Sequence, residues 1–97
     1  MNTLFKASFR KYVKKQSRSF QLAIEDEVEC IVSAPDKGEN KSGDLIGFKV
    51  YKFIFNKQQF LIAYMIQGNK IIFYGIGTHE NFYRELKKYL KEAKSWK

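Results

Sequence analysis

The chain contains one histidine, and the residues around it are those that phosphodiester chemistry uses. His79 stands in GTHENFYRELKKYL, where an alternating apolar run gives way to a helical pattern. Tyr83 follows one helical turn later, on the same face, with Arg84 beside it. A helix N-terminus attracts anions. Lys52 lies in a strand-forming run and could face the same end of the fold. Cleaving a phosphodiester needs a proton acceptor for the attacking hydroxyl, a donor for the leaving oxygen and cations on the phosphate. Histidine, tyrosine, lysine and arginine can fill those roles. With RNA the attacking group is the neighbouring 2′-hydroxyl, so no metal-bound water is required. The same residues also have a structural reading. Thr78 suits a helix cap, Glu80 a first turn, and Asn81 can bond a free amide, while Tyr83 packs and Lys52 guards an edge strand.

Other chemistries fall away on composition. One Cys and one His cannot close a zinc site, and a single Cys gives no intramolecular disulfide. No glycine-rich nucleotide fingerprint and no Ser-His-Asp arrangement is present, and residues 45–78 carry no acid. No metal and no small-molecule cofactor is expected. No apolar run approaches the ~20 residues that span a bilayer, and the start MNTLFKASFRKYVKK has no signal-like apolar core. The expectation is a cytoplasmic protein without a membrane partner.

Charge points to a polyanion. The formal net charge is +8, unevenly spread. Residues 1–19 carry six basic groups and no acid, and residues 20–44 carry seven acids against two lysines. Residues 45–78 carry four lysines, and residues 79–97 six basic groups with three Glu. Two basic ends and an acid-free middle favour a phosphate-bearing partner through counterion release. Lys49 and Lys57 join Lys52 and Arg84 as candidate RNA contacts, with Asn81 among them.

The elements that must hold these residues follow from periodicity. Phe5, Phe9, Tyr12 and Val13 predict a helix over 5–15 with a basic remainder. After a break at 16–19, where Ser17 or Ser19 can cap, Phe20, Ile24, Val28 and Ile31/Val32 predict a helix over 19–33 that Pro35 ends. PDKGENKSGD, residues 35–44, reads as a polar loop. The period then changes to two. Strands are expected over 46–55, 59–66 and 70–77, joined by turns at 56–58 and 67–69. The middle strand is apolar on both faces and therefore central. A helix over 79–94 follows, with Phe82/Tyr83, Leu86, Tyr89/Leu90 and Ala93 inward. The order is α-α-β-β-β-α, with room for a short N-terminal strand. This is an α+β fold in a single domain, residues 1–97: an N-terminal αα-hairpin, an antiparallel sheet of three to four strands, and a C-terminal helix. Trp96, in a lysine-rich tail, reads as a fraying end or a partner contact.

The acidic helix ending IVSAP, the loop PDKGENKSGDL, the strand pair GFKVYKFIFNKQQFLIAYMI and above all KIIFYGIGTHENFYRELKKYL resemble the RelE/ParE superfamily of bacterial type II toxins. The last segment is similar to the strand–Gly-Thr-His–helix end of RelE- and YafQ-like members. The resemblance implies two N-terminal helices on an antiparallel sheet with a C-terminal helix, and an antitoxin partner. It also implies one of two activities: cleavage of mRNA in the ribosomal A site, with contacts to ribosomal RNA, or poisoning of DNA gyrase. A catalytically inactive module that binds nucleic acid or antitoxin is a third reading. By the resemblance, His79 matches a catalytic position, Tyr83 its accompanying aromatic, and Lys52 a strand lysine on the phosphate. One position departs: RelE-like chains often carry arginine in the second strand, and here FLIAY has Leu61. Either Lys57 or Arg84 replaces that cation, or the protein is a weak nuclease, or it has another function.

Overall fold

A computed structural model describes residues 2–84, 86 and 87 of the chain. The first departure from the helical periodicity comes at Phe5. Asn2–Phe5 is a strand, β1, paired in parallel with Lys70–Phe73. The Lys6 amide continues the ladder, donating to the Phe73 carbonyl at 2.9 Å. Phe5 stacks on Phe73 with ring centroids 4.9 Å apart, and Phe9 lies 5.4 Å from Phe5. The four-residue spacing of Phe5 and Phe9 that imitates a helical stripe thus arises across a strand-to-helix corner. Helix α1 is Ala7–Lys14 and buries Phe9.

Ser17, not Ser19, caps the second helix, α2, Arg18–Ser33, its hydroxyl accepting from the Phe20 amide. Phe20, Ile24 and Ile31 of α2 are buried, as the apolar spacing requires. The Gln21 side-chain amide donates to the Val13 carbonyl at 2.9 Å and ties the C-terminal end of α1 to α2.

The loop predicted after α2 holds more structure than its composition suggests. A 3-10 turn at Pro35–Lys37 leads to a two-residue strand, β2, Glu39–Asn40. A second 3-10 turn, Gly43–Leu45, leads to β3, Lys49–Phe55. Strand β4 is Gln58–Gln67 and β5 is Lys70–Thr78. The β3–β4 turn uses two residues, Asn56 and Lys57, at φ 48° and 64°. Positive φ at both central positions matches the right-handed twist of the flanking strands. Gly68 takes φ 60° in the β4–β5 turn.

The sheet has five strands in the order β1-β5-β4-β3-β2. It is mixed, because β1 runs parallel to β5 and the remaining pairs are antiparallel. This corrects the expected wholly antiparallel sheet. A chain that leaves β1 through α1 and α2 can enter the sheet again in either sense, and periodicity does not report which. Strand β4 is central and buried on both faces, as its composition requires. Phe60, Ile62 and Tyr64 face the layer of α1 and α2, with Phe53, Phe73 and Ile76. Leu61 and Ala63 face a second layer with Leu45, Phe48, Val50, Phe82 and Leu86. Residues 79–84, 86 and 87 are helical (α3), and Phe82 and Leu86 seat that helix on the second face. The rest of the expected helix, and Trp96, lie outside the described residues.

One buried polar residue organises the loop. The Tyr64 hydroxyl donates to the Pro35 carbonyl at 2.5 Å and accepts from the Gly38 amide at 2.9 Å. A Cβ on Gly38 would stand 2.5 Å from that oxygen, so the close approach demands glycine. Burial raises the Tyr64 pKa, which keeps the donating hydroxyl protonated. Replacing Tyr64 with Phe leaves the Gly38 amide without its acceptor and is expected to cost about 1–3 kcal/mol. Urea denaturation would read this as a lower midpoint at unchanged slope.

Candidate functional site

The antiparallel register carries Lys52 towards His79. Lys52 on β3 lies opposite Leu61 on β4, and Leu61 lies opposite Gly77 on β5. Thr78, the last residue of β5, is opposite Phe60, and α3 begins at His79. Lys52 alternates with Val50, a residue of the second layer, so its side chain leaves the sheet on the face that carries α3. It is exposed there.

His79 is exposed at the start of α3. Its ring lies edge-on to Tyr83 with centroids 5.9 Å apart, as the one-turn spacing predicts. Tyr83 is itself set at 90° to the buried Phe82, centroids 5.1 Å apart. The aromatic pair roots the exposed imidazole in the second core layer.

Two residues that the sequence reading passed over complete the site. Lys41 sits with its ammonium 5.4 Å from the Tyr83 ring centroid. Its pKa is raised, first by a hydrogen bond with the Tyr83 side chain and then by the Coulombic attraction of Tyr83 and Glu39, which outweigh a desolvation effect of opposite sign. The group therefore stays cationic through neutral and mildly alkaline pH. Glu39 Oε2 lies 3.7 Å from Lys41 Nζ and 3.8 Å from Lys52 Nζ. Glu39 is opposite Val50 in the ladder, which puts its side chain on the same face. A continuous run of side chains results: His79, Tyr83, Lys41, Glu39, Lys52. Both added residues belong to the segment read as an acidic, polar loop. Their signal was the alternation of Glu39 and Lys41 at i and i+2, which extended backbone places on one face.

The remaining candidates are placed elsewhere. The Arg84 guanidinium donates to the Asn81 side-chain oxygen on the exposed side of α3. Asn81 thus serves a side chain there. Lys57 occupies the β3–β4 turn, at the end of the sheet where β5 hands over to α3, and is exposed. Lys49 is adjacent to Val50, whereas Lys52 is two residues from it, so Lys49 faces the α2 side, opposite to Lys52. Leu61 is fully buried beneath α3 with Phe82. Among the described residues no group of three or more His, Cys, Asp or Glu could hold a metal ion. None of the described helices is long and apolar enough to cross a membrane.

This arrangement can hold an anion with two ammonium groups and move a proton at the imidazole that shares the Tyr83 ring with Lys41. The family described as ParE-like toxin of type II bacterial toxin-antitoxin system matches residues 4–87. Among solved structures, the intact E. coli RelBE toxin-antitoxin complex is similar at TM-score 0.62 and 13% identity, over 79% of this chain and 94% of that one. The isolated E. coli RelE toxin is similar at TM-score 0.61 and 14% identity, over 92% of this chain and 97% of that one. At these identities the likeness establishes the α+β fold. None of the curated proteins searched matches this chain in sequence.

Proposed function

This chain belongs to the ParE-like toxin family of type II bacterial toxin-antitoxin systems, and we propose that it is the toxin of its system, a metal-independent endoribonuclease that cleaves mRNA on the ribosome. One observation carries this reading: His79, Tyr83, Lys41 and Lys52 belong to one run of side chains, with His79 and Lys41 both against the Tyr83 ring and Lys41 and Lys52 both facing Glu39. The 2′-hydroxyl oxygen attacks the adjacent phosphorus, the bond from phosphorus to the 5′-oxygen breaks, and a 2′,3′-cyclic phosphate and a 5′-hydroxyl end result. His79 takes the proton from the attacking hydroxyl or supplies one to the leaving oxygen. Tyr83 orients the imidazole. Lys52 and Lys41 neutralise the charge that grows on the phosphate oxygens. Arg84 and Lys57 extend the basic surface towards flanking RNA. The protein acts in the cytoplasm, on mRNA and ribosomal RNA, and a cognate antitoxin holds it inactive.

Two observations favour a second reading, inhibition of DNA gyrase: the matching family is described as ParE-like, and Leu61 offers no strand cation. Expression of the chain in bacterial cells, with 5′-end mapping of transcripts, separates the two. The nuclease reading expects in-frame cuts in translated mRNA, with 5′-hydroxyl ends. Intact transcripts, together with loss of supercoiling by purified gyrase at saturating protein, would establish the second reading. Salt-sensitive RNA binding with neither effect would indicate a binding module.

A further inference from the structure

Glu39 is an acid in the middle of a basic site, and a phosphate-binding surface has no evident need of it. We propose that Glu39 is an internal stand-in for an RNA phosphate: in the free protein its carboxylate occupies the place between Lys41 and Lys52 where a substrate phosphodiester binds, and the RNA displaces it. The proposal deepens the nuclease reading and rests on it for the identity of the phosphate.

The geometry is that of a bridging anion. A single oxygen, Oε2, faces both ammonium groups, at 3.7 and 3.8 Å. Both distances exceed those of N–H···O hydrogen bonds, about 2.7–3.2 Å. The carboxylate therefore sits in the field of the two lysines without being locked to either. Its side chain is 61% exposed, a setting in which ion pairs hold weakly. The backbone of Glu39 is fixed by its pairing with Val50 in β2, so the side chain can swing away while the strand stays in place.

Lys41 is held independently of Glu39. Lys41 rests against the Tyr83 ring, and only 22% of its side chain is exposed. Lys52 is carried by β3 opposite Leu61. Departure of the carboxylate thus leaves both cations on the same face, with Lys41 still seated on the Tyr83 ring. A phosphodiester is a monoanion, as the carboxylate is, so the exchange conserves charge and leaves neither lysine uncompensated. A phosphodiester also presents two equivalent oxygens, one for each ammonium. The consequence is selectivity: weak or isolated anions do not out-compete a tethered carboxylate, whereas RNA held by the rest of the basic surface does.

The test is binding of a short single-stranded RNA, 2′-O-methylated so that it cannot be cut, to the full chain. At low salt Glu39→Gln is expected to tighten binding about fivefold, the size of an exposed ion-pair effect. Glu29→Gln, on the exposed side of α2, makes the same change in net charge and should give a smaller gain. The gain from Glu39→Gln should vanish when combined with Lys41→Gln or Lys52→Gln, as a coupled pair requires. Inorganic phosphate, added alone, should compete for Glu39→Gln better than for the wild-type chain. A Glu39→Gln gain no larger than that of Glu29→Gln, or a loss of binding, would overturn the stand-in role while the lysine effects upheld the phosphate site. Lysine variants that bind RNA as the wild type does would remove the phosphate site itself, and the nuclease reading with it.

Discussion

His79→Ala is expected to lower RNA cleavage by about 10²- to 10⁴-fold, the usual contribution of a positioned acid or base. It should do so with little change in thermal midpoint. The residue is exposed, makes no side-chain hydrogen bond among the described residues, and touches Tyr83 only through an edge-on ring contact. Loss of an exposed side chain that makes no capping hydrogen bond and fills no core space typically changes stability by less than about 0.5 kcal/mol. Growth arrest and transcript cleavage should therefore disappear together in cells making a folded, soluble variant. His79→Gln keeps a polar group of similar reach but cannot shuttle a proton near neutral pH, so it should be equally inactive. A His79→Ala chain that still cleaves at the wild-type rate would take the catalytic role away from this residue. RNA binding by His79→Ala should remain close to normal, because the phosphate is assigned to Lys41 and Lys52. A matched loss of binding and cleavage would instead make His79 a binding residue.

Leu61 is expected to produce the largest loss of stability. Its side chain is fully buried in the layer that also holds Val50, Ala63 and Phe82. Leu61→Ala should cost about 2–5 kcal/mol, the range for large-to-small changes in a core. Domains of this kind hold only about 5–15 kcal/mol in total. Leu61→Arg is expected to be at least as damaging, because a guanidinium in this layer loses its water without gaining a partner. Urea unfolding measures both. The same substitutions should expose α3, read as faster amide exchange in this helix than in the wild-type chain. Cleavage should fall as well, since Phe82 in α3 packs beside Leu61 and the same helix carries His79 and Tyr83. At the position where the family resemblance leads one to expect a strand cation, this chain has a seat for the helix that bears the imidazole. Lys41, delivered by the neighbouring loop, supplies a cation on the same face. A stable Leu61→Arg variant with unchanged exchange over 79–87 would show that α3 does not depend on this contact.

Much of this molecule is legible in its residues because the relevant physics is local. A 3.6-residue stripe over 19–33 and a two-residue alternation over 46–55 follow from backbone geometry; the helix appears where the pattern puts it, while the strand begins only at Lys49, after a 3-10 turn at Gly43–Leu45. The position of β4 at the centre of the sheet follows from its being apolar on both faces. So does the pairing of His79 with Tyr83, since one helical turn is a local distance. Even the opposite faces of Lys49 and Lys52 are implicit in their odd spacing, although which face carries the site is not.

Tertiary structure decided the rest, and in each case the deciding contact joins residues distant in sequence. Phe5 belongs to a strand because Phe73 stacks on it, a partner that the spacing of Phe5 and Phe9 does not reveal. The direction of β1 depends on how the chain returns to the sheet after two helices. Lys41 and Glu39 join the site because Tyr64, buried on β4, grips Pro35 and Gly38 and sets the course of the loop. Composition marks that loop as polar but cannot say what it lies against. Residue types and short spacings marked most of the candidate residues and the elements that bear them. Strand register and loop closure, which are properties of the whole fold, chose the partners that surround the histidine.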